Sequence, residues 1–374
     1  MVHTLNPERG GPSESVRMFV MAHQRAGNQV EVATLDAPAS SFRERVNCAV
    51  HPCGPGLSTY GYSPHLEHWL RANFARFDGV IVNGVWQFHA AVARRVLAGR
   101  KPYVVFAHGM LDPYFMRRYP LKHLKKLAYW VVAERRNLAR ARAVCFTSEE
   151  EMRVAARGFP FRRFRGAVIP YGTPGPTGEP AAAKAAFLAV HPALRERRYL
   201  LFLGRIHPKK GCDLLIRAVA QAASPELRLV MAGPDETGLR PQLEALAQAL
   251  GIADRVYWTG MLTGEPKWGA LYGAEAFVLP SHQENFGIAV ADALACGTIP
   301  LLSDKVNIAR DVAGDGAALV ETDTLEGTVR LLERFNAMRD AERDEMRRRG
   351  LDCYRRRYAL ANAAAELYKA LGLA

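Results

Sequence analysis

The sequence predicts an α/β protein made of two doubly wound parallel sheets, each in a domain of its own. Its 374 residues exceed what one hydrophobic core usually organises. Short apolar runs alternate with helix-length segments along the chain, which is typical of repeated strand–helix units around a parallel sheet. A segment rich in glycine and proline, residues 171–180, interrupts this alternation and indicates an interdomain linker.

We therefore expect a first domain over residues 1–174 and a second over residues 175–357. The last helix, at about 358–374, is expected to return to the first domain. Ligands of doubly wound sheets bind at the carboxyl ends of the strands, so the two domains are expected to face each other across a cleft.

The strands of the first domain are predicted from short runs of β-forming residues. The amino-terminal run, Val2–Leu5, is short, so this strand is either minimal or truncated at the start of the chain. The other predicted strands of this domain are Val30–Leu35, Gly79–Val82, Tyr103–Ala107 and Ala143–Thr147.

The same alternation resumes after the linker and predicts a second sheet. Its predicted strands are Tyr199–Leu203, Leu227–Ala232, Arg255–Trp258, Ala276–Leu279, Ile299–Leu302 and Ala317–Val320. Helices are expected at about 211–223, 239–250, 287–296 and 323–357.

Composition narrows the class of protein. With 49% hydrophobic and 23% charged residues, the chain has the composition of a folded globular protein. Apolar runs of membrane-spanning length and a signal-peptide pattern are both missing, which predicts a cytoplasmic location. The six cysteines lack zinc-ligand spacing, so they are expected to be free, buried thiols.

The net charge of +13 lies entirely in the first half of the chain. Residues 1–175 contain 25 Lys and Arg against 12 Asp and Glu, whereas the remainder contains 25 of each sign. This asymmetry predicts an anionic partner for the first domain, which could be a membrane surface, an acidic acceptor or a nucleic acid. A solvated basic face without a specific partner is the alternative.

The segment from Gly204 to Gly211 passes from a strand through a glycine-containing loop into a helix. Glycines let the backbone approach a phosphate closely, and a helix N-terminus supplies amide donors. Arg205 and Lys210 add two cations to this loop. The segment therefore predicts a diphosphate site, although ordinary surface turns also have this composition.

A second segment, residues 279–300, again joins a strand, a loop and a helix that begins near Gly287. Glu284 in the loop can accept hydrogen bonds from sugar hydroxyls, and Asp292, two turns into the helix, can accept from a ribose diol. The alternative interpretation is a capping carboxylate at Glu284 and a solvated carboxylate at Asp292.

Together the two segments resemble glycosyltransferase family 4, which has a Gly-Arg-x4-Lys-Gly block followed by a Glu-x7-Glu block. The resemblance implies a B-type glycosyltransferase fold of two Rossmann-like domains. It also implies that Arg205 and Lys210 hold the donor diphosphate, that Glu284 contacts the donor sugar and acts in catalysis, and that the acid at 292 holds the ribose. Here that acid is Asp292, one methylene shorter than the family's glutamate.

Further donor contacts are implied by the same resemblance. Trp258 lies where the family approaches the nucleotide base, but it is equally interpreted as a core aromatic. The remaining implied donor-binding residues are Gly204, Gly233, Met261, Asn285, Phe286, Gly287 and Ile288.

The first half matches the family more loosely. Gly10 and Gly11 resemble the paired glycines that approach donor phosphate and acceptor. His108 follows a buried strand at a position where the family often has a histidine that reaches the donor sugar, which implies a catalytic role. A lone histidine after a strand is otherwise more often structural.

A basic and aromatic stretch, residues 116–136, has a helical pattern, and a second basic cluster lies at residues 161–165. A helix of this kind suits an anionic bilayer surface, where lysines snorkel and aromatics enter the interface. An ordinary amphipathic core helix with a basic outer face is an equal alternative.

The resemblance implies a retaining glycosyltransferase that moves a hexosyl unit from a UDP-, GDP- or ADP-sugar to a glycan or lipid-linked acceptor. Such an enzyme of bacterial surface-polysaccharide synthesis would be cytoplasmic, or peripheral on the inner face of the plasma membrane. Neither a cofactor nor a metal is expected, because the donor segments carry no Asp-x-Asp motif. An epimerase or hydrolase of the same fold is one alternative. A scaffold or nucleic-acid-binding protein is another, but nucleic acid is not an expected partner, because the basic half has no recognisable binding motif.

Overall fold

The computed structural model describes residues 1–6, 11–113, 120–160 and 163–373. The predictions for Gly10, for residues 116–119 and for residues 161–162 therefore lie outside the described residues. The chain divides into two compact units, one formed by Met1–Gly172 with Leu360–Ala374 and the other by Thr173–Ala359. The predicted boundaries were 174 and about 358.

The first unit contains parallel strands, the central ones buried, and the helices that pack against them. Its helices are α1 (Gly11–Arg25), α2 (Pro64–Asn73), α3 (Phe88–Leu97), α4 (Pro120–Tyr129), α5 (Arg135–Ala139) and α6 (Glu149–Gly158). Its strands are β1 (Glu31–Thr34), β2 (Ala49–Pro52), β3 (Val80–Asn83), β4 (Tyr103–Phe106), β5 (Ala143–Phe146) and β6 (Gly166–Val168). A π-helical turn, Trp130–Glu134, joins α4 to α5.

Strands β3, β4, β5 and β6 form one parallel sheet in that order, and β1 pairs with β2. The predicted strand Val2–Leu5 is reduced to Val2, which makes isolated bridges to Thr34 on β1 and to Asn83 on β3. The short strands β2 and β6 were not predicted. They are three or four residues long and only partly buried, so they carry little apolar signal.

The second unit has a six-stranded parallel sheet. Its strands are β7 (Tyr199–Leu203), β8 (Arg228–Ala232), β9 (Val256–Gly260), β10 (Ala276–Leu279), β11 (Ile299–Ser303) and β12 (Leu319–Glu321). Its helices are α7 (Pro180–Val190), α8 (Cys212–Ala222), α9 (Arg240–Ala249), α10 (Gly264–Gly273), α11 (Ile288–Ala295), α12 (Ala309–Gly314), α13 (Leu325–Ala337) and α14 (Asp340–Cys353). A π-helical turn, Tyr354–Tyr358, follows α14, and α15 (Leu360–Leu371) belongs to the first unit.

The strand order β12-β11-β10-β7-β8-β9 positions the candidate site. The order runs outward in both directions from the β10–β7 pair, which makes this pair the topological switch point of the sheet. The segments that follow β7 and β10 therefore leave the sheet side by side, although they are far apart in sequence.

The single helix predicted over residues 323–357 is wrong, because the structure divides it into α13 and α14. Met338 and Arg339 are extended, and Arg339 forms a capping box with Glu342 that starts the second helix.

Within the described residues, none of the helices is both long enough and apolar enough to cross a membrane.

Candidate functional site

Lys210 and Glu284 form an ion pair at the switch point. Each side chain keeps 17% of its surface exposed, so the pair is shielded from water but still accessible to a ligand. A backbone bond of 2.8 Å from His282 N to Lys209 O holds the two loops together. The predicted phosphate-binding cation and the predicted sugar-binding carboxylate are thus brought into direct contact.

Gly211 connects the loop that follows β7 to α8. Its φ of 65° is left-handed, and a Cβ atom there would collide with the backbone carbonyl of Pro280. Glycine is therefore required by both conformation and space. This close approach is what brings Lys210 beside the loop that carries Glu284.

Gly204 and Gly233, two of the predicted donor-binding residues, also lie in contact. Gly233 has a φ of 146°, and a Cβ atom there would overlap the carbonyl oxygen of Gly204. Gly204 N donates to Ala232 O at 2.9 Å, and Gly233 N donates to Gly260 O at 2.8 Å. The carboxyl ends of β7, β8 and β9 are thereby packed without side chains between them.

Arg205 is half-exposed and pairs with Glu236, Nη1 to Oε2, at 3.0 Å. An exposed ion pair contributes only about 0–1 kcal/mol, so an incoming phosphate could displace Glu236 at small cost. The pair therefore contributes little to the stability of the fold, and the role of Arg205 in donor binding stays a prediction.

The Glu284 loop is held by its backbone. Glu284 N donates to Lys305 O at 3.1 Å, and Asn307 N donates to Glu284 O at 3.0 Å. The loop then enters α11 through Gly287, whose φ is 80°. The amides at the start of α11, from Ile288 onward, present donors and the positive end of the helix dipole.

The neighbours of Glu284 have different surroundings. Asn285 Oδ1 accepts from Asn307 Nδ2 at 3.3 Å. Phe286 is buried and its ring packs edge-on against Tyr358, with 5.6 Å between the ring centroids. Phe286 therefore anchors the loop through the core instead of presenting its ring at the surface.

Asp292 is buried, so the alternative interpretation of a solvated carboxylate is wrong. Its Oδ1 accepts from Thr173 Oγ1 at 2.6 Å, and its Oδ2 accepts from Lys267 Nζ at 3.0 Å. The Lys267 ammonium also lies 3.7 Å from the centroid of the Trp268 ring. Sequence reasoning missed Thr173 and Lys267, because neither belongs to a motif that links it to residue 292.

The base-contact candidates lie at the end of β9. Trp258 is only partly buried, and the Arg240 guanidinium lies 5.3 Å from its ring centroid, so the core-aromatic alternative does not describe it. Met261 follows Gly260 and is 70% exposed. Both side chains are accessible at the same end of the sheet as Gly233.

In the first unit, His108 is bonded through both ring nitrogens. Its Nε2 lies 3.0 Å from Asn83 Oδ1, and its Nδ1 contacts the Tyr171 hydroxyl. Because an amide oxygen only accepts, Nε2 carries the proton and Nδ1 accepts from Tyr171. Burial lowers the pKa of His108 to about 3, so the imidazole is neutral near pH 7.

Glu151 holds the turn that contains His108 and was missed by sequence reasoning. Its Oε1 accepts from Gly109 N at 2.6 Å, and its Oε2 accepts from Thr147 N and Oγ1 at 2.6 and 2.7 Å. The signal was present: Ser148, three residues earlier, caps α6, and Ser-x-x-Glu is a capping-box pattern.

Gly11 is the first residue of α1, and the space around it is open. A side chain would fit there, so close packing does not require this glycine.

Across the described ranges, no group of three or more His, Cys, Asp or Glu side chains is arranged to hold a metal ion.

Two family models match the chain. A glycosyl transferase 4-like domain matches residues 10–172, and the glycosyl transferases group 1 domain matches residues 184–351. D-inositol 3-phosphate glycosyltransferase of Thermomonospora curvata is 40% identical over 139 residues, covering 34% of this chain and 32% of that protein. Its counterpart in Salinispora tropica is 33% identical over 189 residues, covering 48% of this chain and 39% of that protein. The matched regions thus span roughly a third of the length of these relatives.

Solved structures share the fold over almost the whole chain. Sucrose-phosphate synthase from Thermosynechococcus elongatus has a TM-score of 0.72 at 20% identity, covering 97% of this chain and 94% of that chain. HepE of Anabaena in complex with UDP and glucose has a TM-score of 0.76 at 14% identity, covering 99% and 98%. WaaG, a glycosyltransferase involved in lipopolysaccharide biosynthesis, has a TM-score of 0.65 at 16% identity, covering 97% and 96%.

The family models match both halves of the chain in consecutive order, and the donor segments at Lys210 and Glu284 follow the family's spacing. The solved structures have the same B-type fold. The chain therefore belongs to the family 4-type glycosyltransferases.

Proposed function

We propose that this protein transfers a hexosyl unit from a nucleoside-diphosphate sugar to a hydroxyl group of a glycan or lipid-linked acceptor. The observation that carries the proposal is the contact between Lys210 and Glu284 at the switch point, beside the N-terminus of α11. A cation and helix-end amides suit the diphosphate, and a carboxylate suits the sugar hydroxyls. Ligands of doubly wound sheets bind at this place.

The proposed donor is a UDP-hexose. HepE of Anabaena has the same fold and has been solved with UDP, with UDP-glucose, and with UDP and glucose. GDP- and ADP-sugars are the competing donors, because the partly exposed Trp258 and Met261 carry no hydrogen-bonding groups that select one base, apart from the indole N–H.

Departure of the nucleotide creates negative charge on the diphosphate. Arg205, Lys210 and the first amides of α11 would stabilise that charge, which is the part a metal ion plays in other transferases. We propose that the reaction is metal-independent and retains the anomeric configuration. The departing phosphate would then assist deprotonation of the acceptor on the same face of the sugar.

Donor binding can be measured by calorimetry with UDP-glucose, GDP-mannose and ADP-glucose in the presence of EDTA. We expect one donor to bind, and Lys210→Ala to weaken its binding at least tenfold. Lys184→Ala, an exposed lysine on α7, is the matched control and should bind like the wild type. Equal binding by the two variants, or no binding by the folded wild type, would overturn the proposal.

We further propose that the enzyme works at the cytoplasmic face of the plasma membrane. Residues 120–139 expose apolar side chains at helical spacing: Leu121 is 84% exposed, Leu124 65% and Val132 67%. Ala128 and Val131 are exposed along the same segment. Lys125, Arg136 and Arg140 are exposed along the same segment, as an interfacial helix on anionic lipid requires.

Vesicle cosedimentation tests this association. We expect binding to vesicles of phosphatidylcholine with phosphatidylglycerol, and weaker binding to phosphatidylcholine alone. The double variant Leu121→Ser, Leu124→Ser should lose most of the binding, whereas Val190→Ser, an equally conservative change at a 62% exposed site of the second unit, should retain it. If the double variant still bound the vesicles, the membrane proposal would be overturned and the donor proposal would be unaffected.

A further inference from the structure

The first unit has two loops, at the carboxyl ends of β3 and β4, in which a residue other than glycine is left-handed. Trp86 follows β3 with a φ of 71°, and His108 follows β4 with a φ of 50°. This conformation is rare for bulky side chains and persists only where surrounding contacts fix it, often at functional sites. Ligands of doubly wound sheets bind at this end of the strands, so both loops lie where a substrate of this unit would bind.

Hydrogen bonds join these two loops. Trp86 Nε1 donates to Met110 O at 3.0 Å, from the loop after β3 to the loop after β4. His108 Nε2 donates in the other direction, to Asn83 Oδ1 at the end of β3, at 3.0 Å. Each left-handed residue is therefore bonded through its side chain to the segment that contains the other.

The Asn83 amide is oriented by a second contact. Asn83 is buried, and its Nδ2 donates to Met1 O at 3.3 Å, which leaves Oδ1 facing His108. An amide oxygen has no proton to donate, so the hydrogen in this bond belongs to His108 Nε2. His89 Nε2 donates to the Asn83 carbonyl at 2.9 Å and fixes its backbone. Asn83 therefore determines which nitrogen of the His108 ring is protonated.

The other nitrogen of the His108 ring is bonded to a residue that follows β6. The buried Tyr171 hydroxyl donates to His108 Nδ1, and burial raises the pKa of Tyr171 well above its ordinary value, so the hydroxyl keeps its proton. The Tyr171 ring packs edge-on against Phe19 of α1, with 6.0 Å between the ring centroids. The Phe106 ring stacks on the imidazole at 5.5 Å. Contacts with three side chains thus fix the plane of the imidazole.

The backbone next to the imidazole is fixed separately. Gly109 N donates to Glu151 Oε1 at 2.6 Å, and Glu151 lies on α6, the helix that follows β5. We call Asn83, His108, Tyr171 and Glu151 the His108 network. Its members end or follow β3, β4, β6 and β5, so all four strands of this sheet contribute to it.

An imidazole bonded in this way is poorly suited to proton transfer. Its N–H is donated to an amide oxygen, which is not a base, and protonation of Nδ1 would break the bond that this nitrogen accepts from Tyr171. Burial also lowers the pKa of His108 to about 3. The network therefore suits the fixing of two loops, and it agrees with a reaction in which the leaving phosphate takes the proton of the acceptor.

We propose that Asn83 and Tyr171 are positioning residues, which fix the His108 imidazole so that it holds the strand-end loops of the first unit in place for the transfer reaction. His108 is then neither an acid nor a base in that reaction. The inference rests on the proposed function, because it assigns these residues a part in glycosyl transfer.

Release of UDP from UDP-glucose, with water as the acceptor, measures this part. We expect kcat to fall about tenfold in Tyr171→Phe and about a hundredfold in His108→Leu, because one or both ring hydrogen bonds are lost and the loops move. KM should change by less than about twofold, because the diphosphate site of the second unit is intact. Tyr368→Phe is the matched control: its hydroxyl lies 2.8 Å from Nδ1 of another buried histidine, His23, and its kcat should equal that of the wild type.

His108→Gln separates positioning from proton transfer. Glutamine has an amide donor for Asn83 and a carbonyl acceptor for Tyr171, but it does not exchange a proton near pH 7. We expect its kcat to lie within about fivefold of the wild-type value. A loss as large as that of His108→Leu, or an unchanged kcat in Tyr171→Phe, would overturn the proposal.

Nitrogen-15 NMR of the histidine-labelled protein tests the hydrogen bonds without a substrate. The His108 signals are those that disappear in His108→Gln. At pH 7 we expect the Nε2–H tautomer in the wild type and in Tyr368→Phe, and a shifted Nδ1 resonance in Tyr171→Phe, because this nitrogen loses its donor. A protonated Nδ1 in the wild type, or the same Nδ1 resonance in Tyr171→Phe, would contradict the inference alone. Absence of UDP release by the folded wild type would instead contradict the proposed function.

Discussion

Lys267 places its ammonium 3.0 Å from the carboxylate of Asp292, although the two residues lie on different helices, α10 and α11. The Thr173 hydroxyl donates a hydrogen bond to the other carboxylate oxygen. The shorter acid at position 292 is therefore held by two partners inside the second unit. We infer that Thr173 and Lys267 fix the position of the Asp292 carboxylate, and that the Lys267 ammonium balances its charge.

Replacing Lys267 with alanine should destabilise the protein. Breaking a buried ion pair costs about 3–5 kcal/mol, and the partial exposure of Lys267 lowers the expected loss to about 2 kcal/mol. Urea unfolding measures this. Arg198→Ala, which breaks an exposed pair with Glu275, should cost less than about 1 kcal/mol, and equal losses would contradict the assignment.

Gly233→Ala should be strongly destabilising because the new Cβ atom would overlap the carbonyl of Gly204. We expect a loss of about 3 kcal/mol or more in the free energy of unfolding. Gly238→Ala is the control, since Gly238 also has a positive φ, 65°, but open space around it, and it should cost about 1 kcal/mol. Chemical denaturation of both variants should rank them in this order.

Glu151→Ala should loosen the turn at His108. The substitution removes the carboxylate that accepts from the backbone N–H groups of Gly109 and Thr147, at a cost of about 3 kcal/mol. Glu150→Ala, one position earlier, breaks the ion pair with Arg153, whose side chain is half-exposed, and should cost less than about 1 kcal/mol. Thermal melts of the two single variants measure the difference, and similar midpoints would exclude this role of Glu151.

Glu134 should make stability fall as the pH rises. Burial raises the pKa of this carboxyl from 4.5 to about 7, so between these values the folded state binds more protons than the unfolded state. The contribution of protonated Glu134 to the free energy of unfolding is fully present below pH 4.5 and is lost as the pH rises through 7. Glu134→Gln, which keeps an acceptor for Asn137, should therefore gain stability relative to wild type, on the order of 2–3 kcal/mol, between pH 5 and pH 8.5. A difference between the two proteins that does not change with pH would refute this.

Much of the fold was predictable because its signals are local. The bounds of β7 and β10 are the same as those of the apolar runs that predicted them. The bounds of the other predicted strands agree within one or two residues, apart from the strand at the amino terminus. The division of the predicted last helix at Met338 was not predictable from its helical pattern, because it depends on the cap that Arg339 and Glu342 form.

The site was predictable in its parts. Lys210 and Glu284 were each assigned to a ligand from their motifs, but nothing in the local pattern shows that two side chains 74 residues apart touch. The sequence also could not show that Asn83 and Tyr171 occupy the ring nitrogens of His108, because these partners come from separate strand ends.

The sequence by itself determined the two parallel sheets, the order of the donor segments and the family, because periodicity, glycine placement and motif spacing are properties of short stretches. Only the tertiary structure decided that Asp292 is buried against Thr173, 119 residues away, and that Lys210 contacts Glu284. Such contacts depend on strand order and helix packing, which bring distant residues together by burying apolar surface that no local pattern specifies.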